Sequence, residues 1–460
     1  MEQTYTLQGK IRQLVIILLP IFITQISLCA LSFFDTIMAG HASQNDLAGV
    51  AIGANLWMPV FTGINGILMA LTPILAQLNG ADRHKEMPFV VMQGCYLAFG
   101  LAGIVIIAGV FFVRPVLSAM NLEPAVFDIA YGFLKAIAIG VVPFFLSTVL
   151  RNFIDTLGYT RITMFIMLGA LPINVVLNYL LVFGNFGFPR LGGVGAGYAS
   201  SITYWIILIA SGLTIVRMQK FSRYNLFKRM YAVSLERLKE QMYIGIPIGF
   251  AIFCETSIFG VVAILMARFG TVTIAAHQAA INFASLIYML PLSISTALTI
   301  VVGFEIGAKR VRDARLYTYL GVTFAIVAAV FCALGLVLFN LEVAGLYTND
   351  YDVLKLTQHF LVYAAFFQLS DAVAAPIQGA LRGYKDVKVT FIMALISYWI
   401  IGLPVGYILS YNQAFGPFGY WIGFIAGLAV GAFALLLRLL RVQRKNMIQE
   451  FPAAIGSVNS

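Results

Sequence analysis

Charge is scarce in this 460-residue sequence: Asp, Glu, Lys and Arg together make up 10% of it, against about 25% in a typical globular domain. A soluble cytosolic enzyme or a disordered chain needs far more charge for solvation, so both are excluded. Cysteine is equally thin. Cys29, Cys95, Cys254 and Cys332 lie far apart in apolar runs, and no CxxC pair occurs. Neither a disulfide framework nor a zinc site follows from them. The short alternating segments of a membrane β-barrel are also missing. The first apolar run is too long for a signal-peptide core and has no small-residue cleavage site, so no signal peptide is expected. What fills the chain instead is apolar, 61% of it.

That apolar content is organised in runs long enough to cross a bilayer, which takes about 20 residues per helix. Twelve such runs are expected, at 11–38, 47–78, 88–113, 127–150, 161–184, 193–217, 240–267, 273–305, 315–340, 353–381, 387–411 and 417–440. The fold class is therefore an all-α integral membrane protein. Of the 29 basic residues, 24 fall in the termini and in the loops that share their side. Cytoplasmic loops carry the Lys/Arg excess, so both termini are expected in the cytoplasm. The net charge of +10 is on this reading a topology signal, and no nucleic-acid partner is expected.

The most basic loop divides the runs six and six: residues 1–217 form a first lobe, 218–239 a cytoplasmic linker, and 240–460 a second lobe with a cytoplasmic tail. Residues 20–83 slide without gaps onto 247–310. Pro20 then meets Pro247, Ala48 meets Ala275 and Asn55 meets Asn282. Ala70-Leu71-Thr72 meets Ala297-Leu298-Thr299, and Gly80-Ala81 meets Gly307-Ala308. With an even number of spans per copy, the halves share an orientation and relate by a pseudo-two-fold axis along the membrane normal. Two similar bundles that rock against each other and expose a central cavity to either side describe a secondary transporter.

A charged side chain at mid-bilayer costs about 2.5–3.5 kcal/mol on insertion scales and marks function by default. Glu255 lies about 22 Å into its span at 1.5 Å per residue, and Asp371 is similarly deep. Both are read as carboxylates that exchange a proton or Na⁺ for a substrate. Asp35 stands nearer a span end, where a solvated acid is the plainer reading; its candidate companions are Asn174 and Asn178, which share a helix face at i, i+4. These acids do not recur under the offset: Glu255 falls on Leu28 and Asp35 on Val262. Plain structural readings are given to Glu305, paired with Lys309 four residues on, and to Asp155, satisfied by neighbouring Arg151. His277 is read as interhelical glue. Pro20, Pro59, Pro73, Pro247 and Pro291 are expected to interrupt their helices. Buried acids, no buried base and 37 Phe, 21 Tyr and 4 Trp favour flat lipophilic cations as substrate, with Tyr288 a candidate cation–π contact.

Several stretches resemble the multidrug and toxic compound extrusion (MATE) family, in particular its bacterial NorM branch. They are Phe33-Phe34-Asp35-Thr36-Ile37-Met38-Ala39-Gly40, Ala76-Gln77-Leu78-Asn79-Gly80-Ala81, Asn174-Val175-Val176-Leu177-Asn178-Tyr179, Leu191-Gly192-Gly193-Val194-Gly195, Ala275-Ala276-His277-Gln278 and Leu381-Arg382-Gly383-Tyr384-Lys385. The resemblance implies a monomeric multidrug antiporter of the bacterial inner membrane, with two six-helix lobes forming a V. It would take Na⁺ or H⁺ in, expel organic cations, confer drug resistance and use neither cofactor nor enzymatic chemistry. It implies Asp35, Asn174 and Asn178 as the first lobe's polar site, and Glu255 and Asp371 as the second lobe's cation site, able to hold Na⁺. Tyr288 is implied beside them, with Asp155 and Gln278 as further site residues. Asn178 departs from the Asp of the other bacterial branch, and Phe367 stands where a tyrosine could have assisted Asp371. Three alternatives stand at this point: a lipid-linked saccharide flippase of the same superfold, which needs a cationic cavity; a major-facilitator transporter; and a membrane-embedded enzyme or channel.

Overall fold

The computed structural model describes residues 3–222, 224–229, 231–347, 350–411 and 415–450. Among them every regular element is helical, and twelve helices are long and apolar enough to cross a membrane. They are α1 (Leu7–Ala42), α2 (Gln44–Gly80), α3 (Met87–Ala119), α4 (Pro124–Thr156), α5 (Thr160–Phe183), α6 (Gly193–Arg217), α7 (Leu235–Phe269), α8 (Thr271–Gly307), α9 (Val311–Leu338), α10 (Tyr351–Gly383), α11 (Lys388–Tyr411) and α12 (Phe418–Ile448). Each apolar run read from the sequence lies within or within two residues of one of these helices. In lipid the backbone has no water to bond, so the helices must satisfy themselves. Two of them open on a side-chain cap: the Ser43 hydroxyl accepts from Asp46 N at 3.0 Å at the start of α2, and Asp350 accepts from the amides of Asp352 and Val353 at the start of α10.

Contrary to expectation, Pro20, Pro59, Pro247 and Pro291 lie inside α1, α2, α7 and α8 without interrupting them. Pro73 has no N–H to give the carbonyl of Met69, and α2 breaks into a turn at Met69 and Ala70. α11 is interrupted differently, by a π-helical stretch at Ile396–Gly402.

Contacts group the chain into two compact units. Among the described residues, the first comprises those of Leu19–Leu75 and Arg83–Gly249; the second comprises those up to Leu18, those of Ala76–Asp82 and those from Phe250 onward. The helix that opens each half thus gives its two ends to different units. Inside the first unit, α7 reaches α2 through Gly245, where a Cβ would stand 2.4 Å from the carbonyl oxygen of Ile67.

Inside the second unit, the end of α2 crosses the end of α8 in a local two-fold arrangement. A Cβ on Gly80 would stand 1.9 Å from the Phe304 carbonyl oxygen, and one on Gly307 would stand 2.1 Å from that of Gln77. Gly80 and Gly307, like Gln77 and Phe304, are related by the 227-residue offset of the internal repeat. Only glycine permits backbones so close, and small residues are what let membrane helices approach when lipid removes the hydrophobic drive. Gln77 fastens the crossing by donating to the Gly383 carbonyl at 2.9 Å.

Candidate functional site

In the first unit, α1 brings Asp35 against α5 and α6. The carboxylate is buried, and so are Asn174, Asn178 and Ser200. Asn178 Nδ2 donates to Asp35 Oδ1 at 2.7 Å and Asn174 Nδ2 to the same oxygen at 3.3 Å. Ser200 Oγ donates to Asp35 Oδ2 through a short bond. Asn178 Nδ2 also reaches Asn174 Oδ1 at 3.1 Å, across the one turn of α5 that separates them. The structure therefore brings together the three residues expected to cluster, and Asp35 is not the solvated helix-end acid of the plainer reading. Ser200 escaped sequence reading because one serine in a small-residue helix carries no periodic signal.

The second unit builds a different centre on α7, α8, α10 and α11. The Tyr288 and Tyr398 phenols lie beside the Glu255 carboxylate, and Asp371 lies within its electrostatic reach. Asp371 is buried, whereas Glu255 and Tyr288 are only half-buried. Two hydrogen bonds hold the scaffold around these groups. Gln368 Nε2, one turn before Asp371, donates to the Ala284 carbonyl one turn before Tyr288 at 2.7 Å. Trp399 Nε1 donates to the carbonyl of Cys254, next to Glu255, at 3.2 Å. Both Tyr398 and Trp399 belong to the π-helical stretch of α11, a distortion frequent at functional sites. The wider helical turn presents two successive aromatic side chains to α7. Sequence reading missed both, although Ser397-Tyr398-Trp399 is a polar-aromatic interruption of an otherwise apolar span.

Gln278 does not join this centre: it is exposed and donates to Asn282 at 3.2 Å. Phe367 packs edge-on against Phe259 and Trp421, so the phenols beside the acids come from Tyr288 and Tyr398. His277 behaves as the expected glue, its Nδ1 accepting from Trp421 Nε1 at 3.2 Å. A Na⁺ ion prefers hard oxygen donors, and the two carboxylates and two phenols supply that chemistry.

Three expectations need correction. Buried bases exist: Lys10, Arg151 and Arg382 are 3%, 7% and 4% exposed. Lys10 bonds Asp313 at 3.0 Å and the Thr4 carbonyl at 2.7 Å. Arg382 acts electrostatically on Glu255 and Tyr288, yet it is not locked onto a carboxylate. Its Nη2 donates to Gln378 at 3.4 Å, and Nε and Nη1 have no hydrogen-bond partner among the described residues. All three bases stand toward helix ends, where a sequence reader assigns them to loops. Second, Asp155 is not satisfied by Arg151: its Oδ1 is buried without a partner, and Arg151 bonds Thr148 and Met167 instead. Third, Glu305 pairs with Arg310 rather than Lys309. α8 ends at Gly307 and Lys309 takes a positive φ of 58°, which swings it off the helical i, i+4 position.

Comparison with known proteins places these features in context. The MatE family model matches the chain twice, over residues 20–180 and again over 247–408, the second match beginning 227 residues after the first. A protein of Halalkalibacterium halodurans named "Probable multidrug resistance protein NorM" is 56% identical over 445 residues, covering 97% of each chain. A Bacillus subtilis protein of the same name is also 56% identical, covering 97% of this chain and 98% of its own. The Vibrio cholerae MATE transporter VcmN in its bent form superposes with a TM-score of 0.84 at 17% identity, covering 96% of this chain and 99% of that one. A eukaryotic MATE transporter gives 0.85 at 21% identity, with 96% and 99% covered.

Proposed function

Since the chain belongs to the MatE family, we propose that it is a multidrug efflux transporter that expels lipophilic organic cations in exchange for Na⁺ or H⁺. The observation that carries the reading is the centre on α7–α11, where two carboxylates and two phenols face one guanidinium. The acids outnumber the base, so the centre favours a cation over the pyrophosphate of a lipid-linked saccharide. The coupling cation and the drug compete for the same carboxylates, and each stabilises the facing state it binds better. A ligand indifferent to the two states would shift nothing. The lobes 1–217 and 240–460 are the rocking bodies, with both termini in the cytoplasm and a monomer as the working unit.

Reconstitution tests this directly. Proteoliposomes loaded with ethidium should release it when a Na⁺ or a pH gradient is imposed, and no release under either would refute the antiport reading. Glu255→Gln and Asp371→Asn should each abolish gradient-driven release while the protein still inserts.

A further inference from the structure

A second acid in the first unit is a member of neither carboxylate cluster. Asp155 is the penultimate residue of α4, with Oδ1 buried and without a hydrogen-bond partner among the described residues. Around it are further unmatched groups: Nε of Arg151 on the same helix, and the hydroxyls of Thr160 and Thr163 on α5, both threonines 1% exposed. Arg151 and Asp155 are i, i+4 and would ordinarily pair. Instead the guanidinium turns away, Nη2 donating to Thr148 at 3.2 Å and Nη1 to Met167 Sδ at 3.4 Å. Thr163 and Met167, also i, i+4, form the facing edge of α5. Orphaned buried polar atoms gathered in this way ordinarily hold water or take part in function.

The cluster is joined to the Asp35 centre. Ser200 bonds Asp35, and Tyr204, one turn further along α6, lies beside Ser200 and acts electrostatically on both Asp35 and Arg151. The Tyr204 ring packs edge-on against Phe144 at 4.9 Å, and the Arg151 guanidinium lies 5.9 Å from the same ring. A file of polar side chains thus runs from Asp35 through Ser200, Tyr204 and Arg151 to Asp155, walled by Phe144. Among the described residues Arg151 is the charged group acting on Asp155, and Thr163 of α5 lies beside it.

We propose that Asp155 is the proton-accepting exit station of the first half, receiving the proton that Asp35 releases and passing it to cytoplasmic water. The proton leaves the Asp35 carboxyl, crosses by the Ser200 and Tyr204 hydroxyls and water, and binds the Asp155 carboxylate. Arg151 stays protonated throughout and is a positioning residue that draws negative charge to this end of the file. The inference rests on the antiport reading and adds to it a proton route through residues outside the drug-facing acids.

The test uses the full-length protein in proteoliposomes with ethidium, under an imposed pH gradient and, separately, an imposed Na⁺ gradient. Asp155→Asn should slow pH-driven release by about tenfold or more while equilibrium ethidium binding and Na⁺-driven release change little. Asp155→Glu should restore most of the pH-driven rate. Tyr204→Phe, which removes one hydroxyl, should slow the same component if the asparagine variant fails to fold. Unchanged pH-driven release in Asp155→Asn and Tyr204→Phe would overturn the relay alone. A wild-type protein driven by Na⁺ and indifferent to pH would also overturn the relay and leave the antiport reading standing. No release under either gradient would overturn both.

Discussion

The two carboxylate centres solve the same physical problem in opposite ways. An acid held away from water must find donors or a cation. Asp35 finds three fixed donors, two amides and a hydroxyl, on helices packed directly against its own. Glu255 and Asp371 find rotatable phenols and a guanidinium whose Nε and Nη1 are unmatched among the described residues. In the first, both carboxylate oxygens are matched by donors, although Asn178 Oδ1 beside them has no hydrogen-bond partner among the described residues; the second has more capacity to spare. A matched carboxylate suits a group that changes state only when its whole cluster rearranges, and spare capacity suits a group that must take and release ligands of different shape. The repeat supplied one scaffold twice, and the polar substitutions made its copies into different instruments.

The largest expected effect tests that division. Glu255→Gln and Asp371→Asn should cut gradient-driven ethidium release by about a hundredfold or more, as expected when an essential proton or ion carrier is lost. Comparable release in either variant, measured as initial rate in proteoliposomes, would remove the second centre from the transport cycle. Stability should follow the opposite order. Asparagine at position 35 keeps an oxygen for the two amides and an NH₂ for the Ser200 hydroxyl, but the bonds lose their charge assistance, at about 1 kcal/mol each. Glutamine at position 255 meets hydroxyls that can rotate to accept. Thermal unfolding in detergent should therefore show a lowered midpoint for Asp35→Asn and little change for Glu255→Gln. Equal shifts would mean that the two centres are equally rigid.

Arg382 offers a way to sharpen the contrast. A fixed positive charge within reach of Glu255 opposes binding of a mobile cation there. At an effective dielectric near 20, removing such a charge changes the interaction by about 1–2 kcal/mol, so Arg382→Gln should raise apparent Na⁺ affinity about tenfold. Radiolabelled Na⁺ binding to the purified variant checks this, and an unchanged affinity would show that the guanidinium does not act on the bound ion.

Much of this is legible in the sequence, for reasons particular residues make plain. The twelve helices follow from apolar runs that have no other fate in a bilayer, and the repeat from residues such as Gly80 and Gly307, which the α2–α8 crossing forces to stay small. Asn174 and Asn178 were readable because helical spacing put them on one face. Tyr398 was not, since no sequence period announces a π-helical stretch that rotates its side chain toward α7. Arg382 and Arg151 were misread for a simpler reason: near a helix end, a long basic side chain normally snorkels to water, and only packing shows that these two turn inward. Asp155 was misread through the same rule, because i, i+4 spacing allows a pair without guaranteeing one.

The smallest expected effect concerns the phenols. If Glu255 owes its versatility to donors that rotate, then removing one hydroxyl should alter selectivity more than rate. Tyr398→Phe deletes the phenol supplied by α11 but keeps the ring, and Trp399 continues to hold the neighbouring Cys254 carbonyl. Tyr288 remains beside the carboxylate. The net worth of one hydrogen bond to a charged group is about 1.5–3 kcal/mol, and the remaining phenol can take up part of that. Release should therefore fall only a few-fold, with the ratio of Na⁺-driven to pH-driven release changing as the carboxylate loses one of its two neighbouring phenols. Competition assays that compare ethidium with a smaller, harder organic cation provide the check. A complete loss of transport in Tyr398→Phe would show that the second centre is as tightly specified as the first, and the contrast between a matched site and an adaptable one would fail.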